Sequence, residues 1–385
     1  MTELLTDAAV VERVFNHIDN QTTDTGSSIW REPVANYHST ARLAREQALL
    51  RMLPIPFCPS AAIPQAGSYV ARTAAGTPLV VLRDEAGEVR AFRNACRHRG
   101  MQVATGSGCA KYLVCTYHGW AYRLDGSLRH IPHRQGFPDV RDADHGLVAV
   151  KAEERLGMVF VTQEPSANEE LGRLHALHGM EDCADLLSED QTIFSAQEST
   201  SDVNWKLNME ATLEGLHIRT THPESFYPYG FDNLNVVEHF GNNNRVTFPF
   251  RRIEKLRDLP PEARNVAGKL TYVYHLFPNI TLAVLSNHTS MTISEPLSPT
   301  ETHFITYRLT NQGEGSGNEN VNRAKRDATF VADSGGKEDA AAIRAIQAGL
   351  TSGANEYFTF GLYEKAIVHF HQVLSLALDH VDSTA

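Results

Sequence analysis

The sequence predicts an α+β protein of two unlike parts, a small all-β domain followed by a larger domain in which a curved antiparallel sheet carries helices. Three observations predict it. Short strand patterns crowd residues 50–165, strand and helix patterns mix beyond residue 171, and the polar, proline-bearing stretch TQEPSANEE at 162–170 divides them. At 385 residues the chain has room for about two or three domains. The expected division is a helical segment over 1–49 that packs on the larger domain, the all-β domain over 50–165, and the larger domain over 171–385.

Each element has its own signal. Val10, Val14 and Ile18, and later Ala41, Ala44 and Leu49, mark the first 50 residues as helical. Then come SYVAR, PLVVLRD, EVRAFR, YLVC, WAYRLDG, GLVAV and GMVFV, apolar strands separated by Gly, Pro and Asp turns. A helix is predicted from Trp205 to Ile218, and strands near 236–250, 271–276, 280–286, 289–295 and 302–310. The stretch NQGEGSGNEN (311–320) reads as a surface loop, and helices are predicted near 321–350 and 361–380.

Composition narrows the function classes. Net charge is −11, which argues against a nucleic-acid partner, since that surface needs clustered Lys and Arg. No run of about eighteen apolar residues is present, and the N-terminal MTELLTDAAVVERVF is acidic where a signal peptide is basic, so a soluble cytoplasmic protein is expected, with no membrane partner. Five cysteines (58, 96, 109, 115 and 183) in a chain this long do not read as a disulfide framework, and reduced thiols are free to bind metal.

Three of them sit in CRHRGMQVATGSGCAKYLVCTYHGW, residues 96–120, two of these as Cys96-x-His98 and Cys115-x-x-His118. A Cys₂His₂ zinc site is one reading, although C-x-H is uncommon at a zinc knuckle. The other is a [2Fe–2S] cluster with two thiolates on one iron and two imidazoles on the other, each loop giving one ligand to each metal. Gly100 and Gly119 allow tight turns around such a group, and Tyr117 and Trp120 can shield it. Cys109, between the two pairs, reads as a small loop residue.

A second constellation lies in NWKLNMEATLEGLHIRTTHPESF. Met209, Leu213 and Leu216 form an apolar helical stripe, with Glu210, Glu214 and His217 one residue round. His222 is five residues beyond His217, about 140° away on an unbroken helix. Pro223 pushes His222 out of the helical region, so the helix can end near Arg219 and His222 can fold back toward His217. Two histidines and a carboxylate would make a non-haem Fe(II) site with open positions. The best carboxylate is Asp339, which continues with Ile343, Ile346 and Leu350 as a core-facing stripe. Glu338 is its rival, and an ordinary first-turn acid at the helix dipole is the bland alternative for Asp339.

CRHRG, CTYHGWAYRLDG and the histidine pair resemble the α subunits of Rieske non-haem iron oxygenases of the ring-hydroxylating type, over roughly residues 30–375. The respiratory Rieske type is not matched, because Met101 and Tyr117 stand where it has a disulfide. The resemblance implies a Rieske domain joined to a helix-grip (START-like) catalytic domain. It makes Cys96, His98, Cys115 and His118 the ligands of the [2Fe–2S] Rieske cluster and His217, His222 and Asp339 the ligands of a mononuclear Fe(II). It gives Glu214 the place of the carboxylate that links the cluster of one subunit to the iron of the next in a homotrimer, with or without a small β subunit. Members with glutamate there include oxygenases of quaternary ammonium compounds. The common Glu-Asn pair before it is replaced by Glu210-Ala211, which makes transfer of substrate class unsafe.

The expected activity is hydroxylation of an aromatic or other hydrophobic small-molecule substrate with O₂. No G-x-G-x-x-G follows a strand, so a separate NAD(P)H-dependent reductase, directly or through a ferredoxin, supplies the electrons. The alternatives are a monooxygenase or demethylase of a quaternary ammonium compound and a non-oxygenating Rieske electron carrier fused to a ligand-binding domain. FYPYGF (226–231), Tyr272, Tyr274, Phe277, Leu282 and Leu285 are candidate pocket residues, and Arg245, Arg251 or Arg252 would hold an acidic substrate.

Overall fold

In the computed structural model, which describes residues 4–180, 184–188, 190–313 and 317–382, strand and helix patterns resolve into nineteen strands and seven α-helices among those residues. Cys183 and the centre of the 311–320 loop lie outside them. The chain forms two compact units, one of residues 50–167 with 183–189 and the other of the remaining residues.

The N-terminal segment is less helical than its periodicity predicts. Helix α1 (Asp7–Asn20), capped by the Thr6 hydroxyl at the N–H of Ala9, buries Val10, Val11 and Val14. Strand β1 (Trp30–Pro33) follows, paired with a strand near the C-terminus, before helix α2 (Thr40–Met52).

The unit around residues 50–167 is built on strands. Its strands are β2 (Ile55–Pro59), β3 (Ser68–Ala74), β4 (Thr77–Arg83), β5 (Val89–Arg93), β6 (Gly106–Cys109), β7 (Leu113–Val114), β8 (Ala121–Tyr122), β9 (Leu128–His130), β10 (Ala149–Arg155) and β11 (Met158–Thr162). They form an antiparallel sheet in the order β2-β11-β10-β5-β4-β3-β6 and a small sheet β7-β8-β9. Val80, Leu82, Phe92, Trp120, Tyr122 and Leu128 fill the core. The predicted strands YLVC and WAYRLDG are only two residues long here, because Cys115–Trp120 is taken up by a loop.

The other unit is built on β12 (Ile193–Ser201), α3 (Trp205–Thr212), α4 (Ile218–Thr221), β13 (Val236–Phe240), β14 (Asn243–Pro249), β15 (Leu270–Leu276), β16 (Ile280–Val284), β17 (His288–Ser298), β18 (Glu301–Thr310), α5 (Asn318–Asp333), α6 (Gly335–Gly349), β19 (Tyr357–Phe360) and α7 (Lys365–Asp382). Strands β13 to β18 run as an antiparallel meander, and β12 pairs outside β18 at the far edge. β12 escapes sequence detection because IFSAQESTS is held by backbone pairing and has no buried face to impose alternation. Helix α7 packs across β13 and β14, and α6 packs on α3 and α5. Tyr37, Leu207, Ile343 and Leu350 share one core cluster there.

Two predicted stripes are corrected. The helix predicted from Trp205 to Ile218 stops at Thr212, and Leu216 is exposed. The break has a local cause: the Glu214 carboxylate accepts from the N–H groups of Leu216 and His217, and Gly215 lies so close to Asn235 that a Cβ there would meet its Oδ1 at 2.3 Å. On the second stripe, Ile343 in α6 and Leu350 just past its end are buried but Ile346 is exposed.

Candidate active site

The two Cys/His loops are built alike. In each, a glycine with positive φ, Gly100 at 79° or Gly119 at 73°, turns the chain so that its N–H donates to the carbonyl of Cys96 or Cys115 at 2.8 and 2.9 Å. This doubled turn brings the two thiols into contact with each other and sets Nδ1 of His98 3.0 Å from Nδ1 of His118. The donors therefore face one another as a thiol pair and an imidazole pair. That arrangement suits a binuclear cluster with sulfur on one iron and nitrogen on the other better than a single zinc.

The surroundings support the same donor set. Trp120 stacks on His98 at 5.1 Å and 6°, and Phe137 meets both rings edge-on. Tyr117 lies over His118 at 3.8 Å. Burial, with the neighbouring Cys115 thiol adding to it, raises the Cys96 thiol pKa. Sequence reasoning missed Tyr122, whose hydroxyl lies 3.2 Å from Cys96 Sγ and accepts from the Arg97 N–H at 2.9 Å. Its only signal was its place seven residues after Cys115.

The second site forms where α3 and α4 meet α6. His217 immediately precedes α4 and His222 immediately follows it, so one helical turn returns the second ring to the first, at 5.1 Å between centroids. Nε2 of His222 lies 2.9 Å from Asp339 Oδ1, and Nε2 of His217 lies 3.5 Å from the same oxygen. Both Nδ1 atoms are occupied from behind, His217 by Glu214 and His222 by Glu338 at 2.7 Å. Glu338 also accepts from Ser225, a partner the sequence did not signal. The residues thus fit a cation. Each ring is fixed with Nδ1 toward a carboxylate and Nε2 inward, and the buried Nε2 of His222, although close to Asp339, makes no hydrogen bond. Burial disfavours an imidazolium at His217, but the Asp339 and Glu214 carboxylates outweigh it and push the pKa up to about 10, the mark of a site that attracts positive charge.

Beside this triad lies a chamber of about 570 Å³ with largely apolar walls. From FYPYGF it takes Phe226, Pro228, Tyr229, Gly230 and Phe231; from the sheet it takes Thr271, Val273, Ala283 and Leu285. Tyr272, Tyr274, Phe277 and Leu282 do not line it. Along a strand successive side chains leave opposite faces, and the residues next to those expected are the ones that reach the chamber. Arg245 is corrected for the same reason: it lies on the other face, paired with Glu238 at 2.7 Å and donating to the Leu5 carbonyl. Arg251 and Arg252 do reach the chamber.

Known proteins match both parts. The family "Ring hydroxylating alpha subunit (catalytic domain)" matches residues 188–379 and the family "Rieske [2Fe-2S] domain" matches residues 54–149. The carnitine monooxygenase oxygenase subunit of Escherichia coli (strain K12) is 32% identical over 167 residues, 43% of this chain and 44% of that one. The biphenyl 2,3-dioxygenase α subunit of Rhodococcus jostii (strain RHA1) is 38% identical over 107 residues, 27% of this chain and 23% of that one. The chain thus spans about half or less of the length of the curated relatives it matches. A solved quaternary ammonium Rieske monooxygenase, described in terms of carnitine oxidation and inter-subunit electron transfer, superposes with a TM-score of 0.73 over 90% of this chain and 95% of its own. At 19% identity that likeness is one of fold.

Proposed function

We propose that this chain, which belongs to the family of Rieske non-haem iron oxygenase α subunits, hydroxylates an aromatic or other hydrophobic organic substrate in the apolar chamber beside His217, His222 and Asp339. The observation that carries the reading is the convergence of both Nε2 atoms and Asp339 Oδ1 at that chamber. In the balanced reaction the substrate C–H and O₂ take up two electrons and two protons to give C–OH and water. When bound, the cluster and the mononuclear iron supply electron transfer and dioxygen activation.

The chain's own residues do the rest. His217, His222 and Asp339 would hold the iron, and Cys96, His98, Cys115 and His118 the cluster. Glu214 and Glu338 hold the iron histidines in the tautomer that leaves Nε2 free. Phe226, whose ring lies 4.9 Å from His222, and its apolar neighbours exclude water and seat the substrate. Glu214 also serves as the electron-transfer bridge between His118 of the partner subunit and His217, in a homotrimer fed by a separate NAD(P)H-dependent reductase.

A second reading, oxygenation of a quaternary ammonium compound, is favoured by the likeness to carnitine monooxygenase and by the aromatic chamber walls. Metal analysis of the purified chain with coupled oxygen uptake tests the oxygenase reading against a plain electron carrier. Three irons per chain and substrate-dependent uptake are expected. Two irons and no uptake would leave only the carrier.

A further inference from the structure

The chamber does not end at its own walls. A second, more polar cavity of about 680 Å³ adjoins it, and Phe231, Leu234 and Arg251 line both. Arg251 therefore stands at the junction. Its guanidinium carbon lies 5.5 Å from the ring centre of Tyr227 and 5.3 Å from that of Phe231. On the outer side Arg219 approaches the same Tyr227 ring at 5.8 Å.

The neighbouring charges are already committed. Arg219 lies 3.5 Å from Asp232, and Arg252 donates to the Ser286 hydroxyl at 3.0 Å. In the chamber Glu214 and Asp339 serve His217 and His222, and Asp327 lies 2.7 Å from His288 Nδ1 and accepts from the Asn287 N–H at 3.0 Å. Arg251 differs. Among the described residues its side chain has no hydrogen-bond acceptor and no ion-pair partner, although its backbone N–H is bonded to the Tyr229 carbonyl at 2.7 Å. A planar fork of donors, oriented by two aromatic rings and left open at the mouth of an apolar chamber, matches a carboxylate or sulfonate.

We propose that Arg251 is the specificity-determining residue of this site, and that the substrate is an organic acid whose anionic end rests on Arg251 while its bulky end reaches the iron triad. The proposal rests on the chamber being the substrate site. It applies to an aromatic acid and to a trimethylammonium acid alike, because the two share the carboxylate and differ only in the end that enters the chamber.

Calorimetric titration of the metal-loaded protein without reductase tests it, since binding is then read without turnover. The probes are 3-phenylpropanoate with its neutral amide, and 4-(trimethylammonio)butanoate with choline. At least one acid should bind, about 10- to 100-fold more tightly than its carboxylate-free counterpart. Arg251→Gln should erase that ratio while the melting temperature and cluster spectrum stay unchanged, and Arg251→Lys should restore part of it. Equal binding of acid and counterpart, binding of none of the probes, or a ratio that survives in both variants would overturn the proposal. Failure of the oxygenase reading shows separately, as missing iron or missing oxygen uptake. Which acid binds decides between the aromatic and the trimethylammonium body.

Discussion

Glu338 and His222 meet at 2.7 Å on the Nδ1 side of the ring, while Asp339, the next residue along the same helix, approaches Nε2. Adjacent acids thus take opposite nitrogens of one imidazole. Asp339→Ala should lose the mononuclear iron and all hydroxylation and keep the cluster's spectrum. Glu338→Gln should keep the iron but bind it about 10- to 100-fold more weakly, as expected for a partner behind a ligand. Iron counts after dialysis against a graded chelator check both.

Tyr122 offers its hydroxyl to Cys96 Sγ at 3.2 Å. A hydrogen bond to a cluster sulfur favours the reduced, more negative state. Tyr122→Phe should therefore lower the cluster potential by about 40 mV, the equivalent of about 1 kcal/mol for one electron. Protein-film voltammetry reads the shift directly.

The bridging role proposed for Glu214 makes its own demand. Glu214→Leu should leave both metal sites loaded and nearly abolish turnover. Mixed oligomers of His118→Ala and His222→Ala should regain activity, because an intact cluster in one subunit then feeds an intact iron in the next. Mixed rings that form yet stay inactive would remove the inter-subunit role.

Gly335 opens the helix that carries Asp339, and a Cβ there would sit 2.1 Å from the Phe226 ring, which itself packs on His222. Gly335→Ala should displace Phe226, destabilise the fold by roughly 1–3 kcal/mol and weaken iron retention. Chemical denaturation and iron analysis of the variant measure the two effects.

Two histidines set an acid limit. Burial lowers the His275 pKa to about 4 and, with the charges of His239 and His275 adding to it, lowers His369 to about 3. Both lie below the unfolded value of about 6.5, so their stabilising contribution is complete above that pH and is lost as pH falls toward the folded values. At pH 5 each should cost roughly 2 kcal/mol relative to neutral pH. Urea midpoints at pH 7.5 and 5 should show the loss, and a His275→Gln, His369→Gln double variant should show a smaller one.

What the sequence by itself determined is local chemistry. The Rieske domain is legible because donor types and turn-forming Gly100 and Gly119 sit within one loop length of each other, where spacing alone carries geometry. The approach of His222 to His217 is legible too, since Pro223 and the four intervening residues confine it. Tertiary structure decided whatever depends on which side of an element faces which neighbour. Tyr272 and Val273, or Leu282 and Ala283, are equally apolar as sequence, but the pleat sends one of each pair to the chamber and the other away. Arg245 and Arg251 are equally cationic, yet Glu238 claims the first and the junction of two cavities holds the second. Residue chemistry is written along the chain, whereas facing is set by packing between segments tens to hundreds of residues apart.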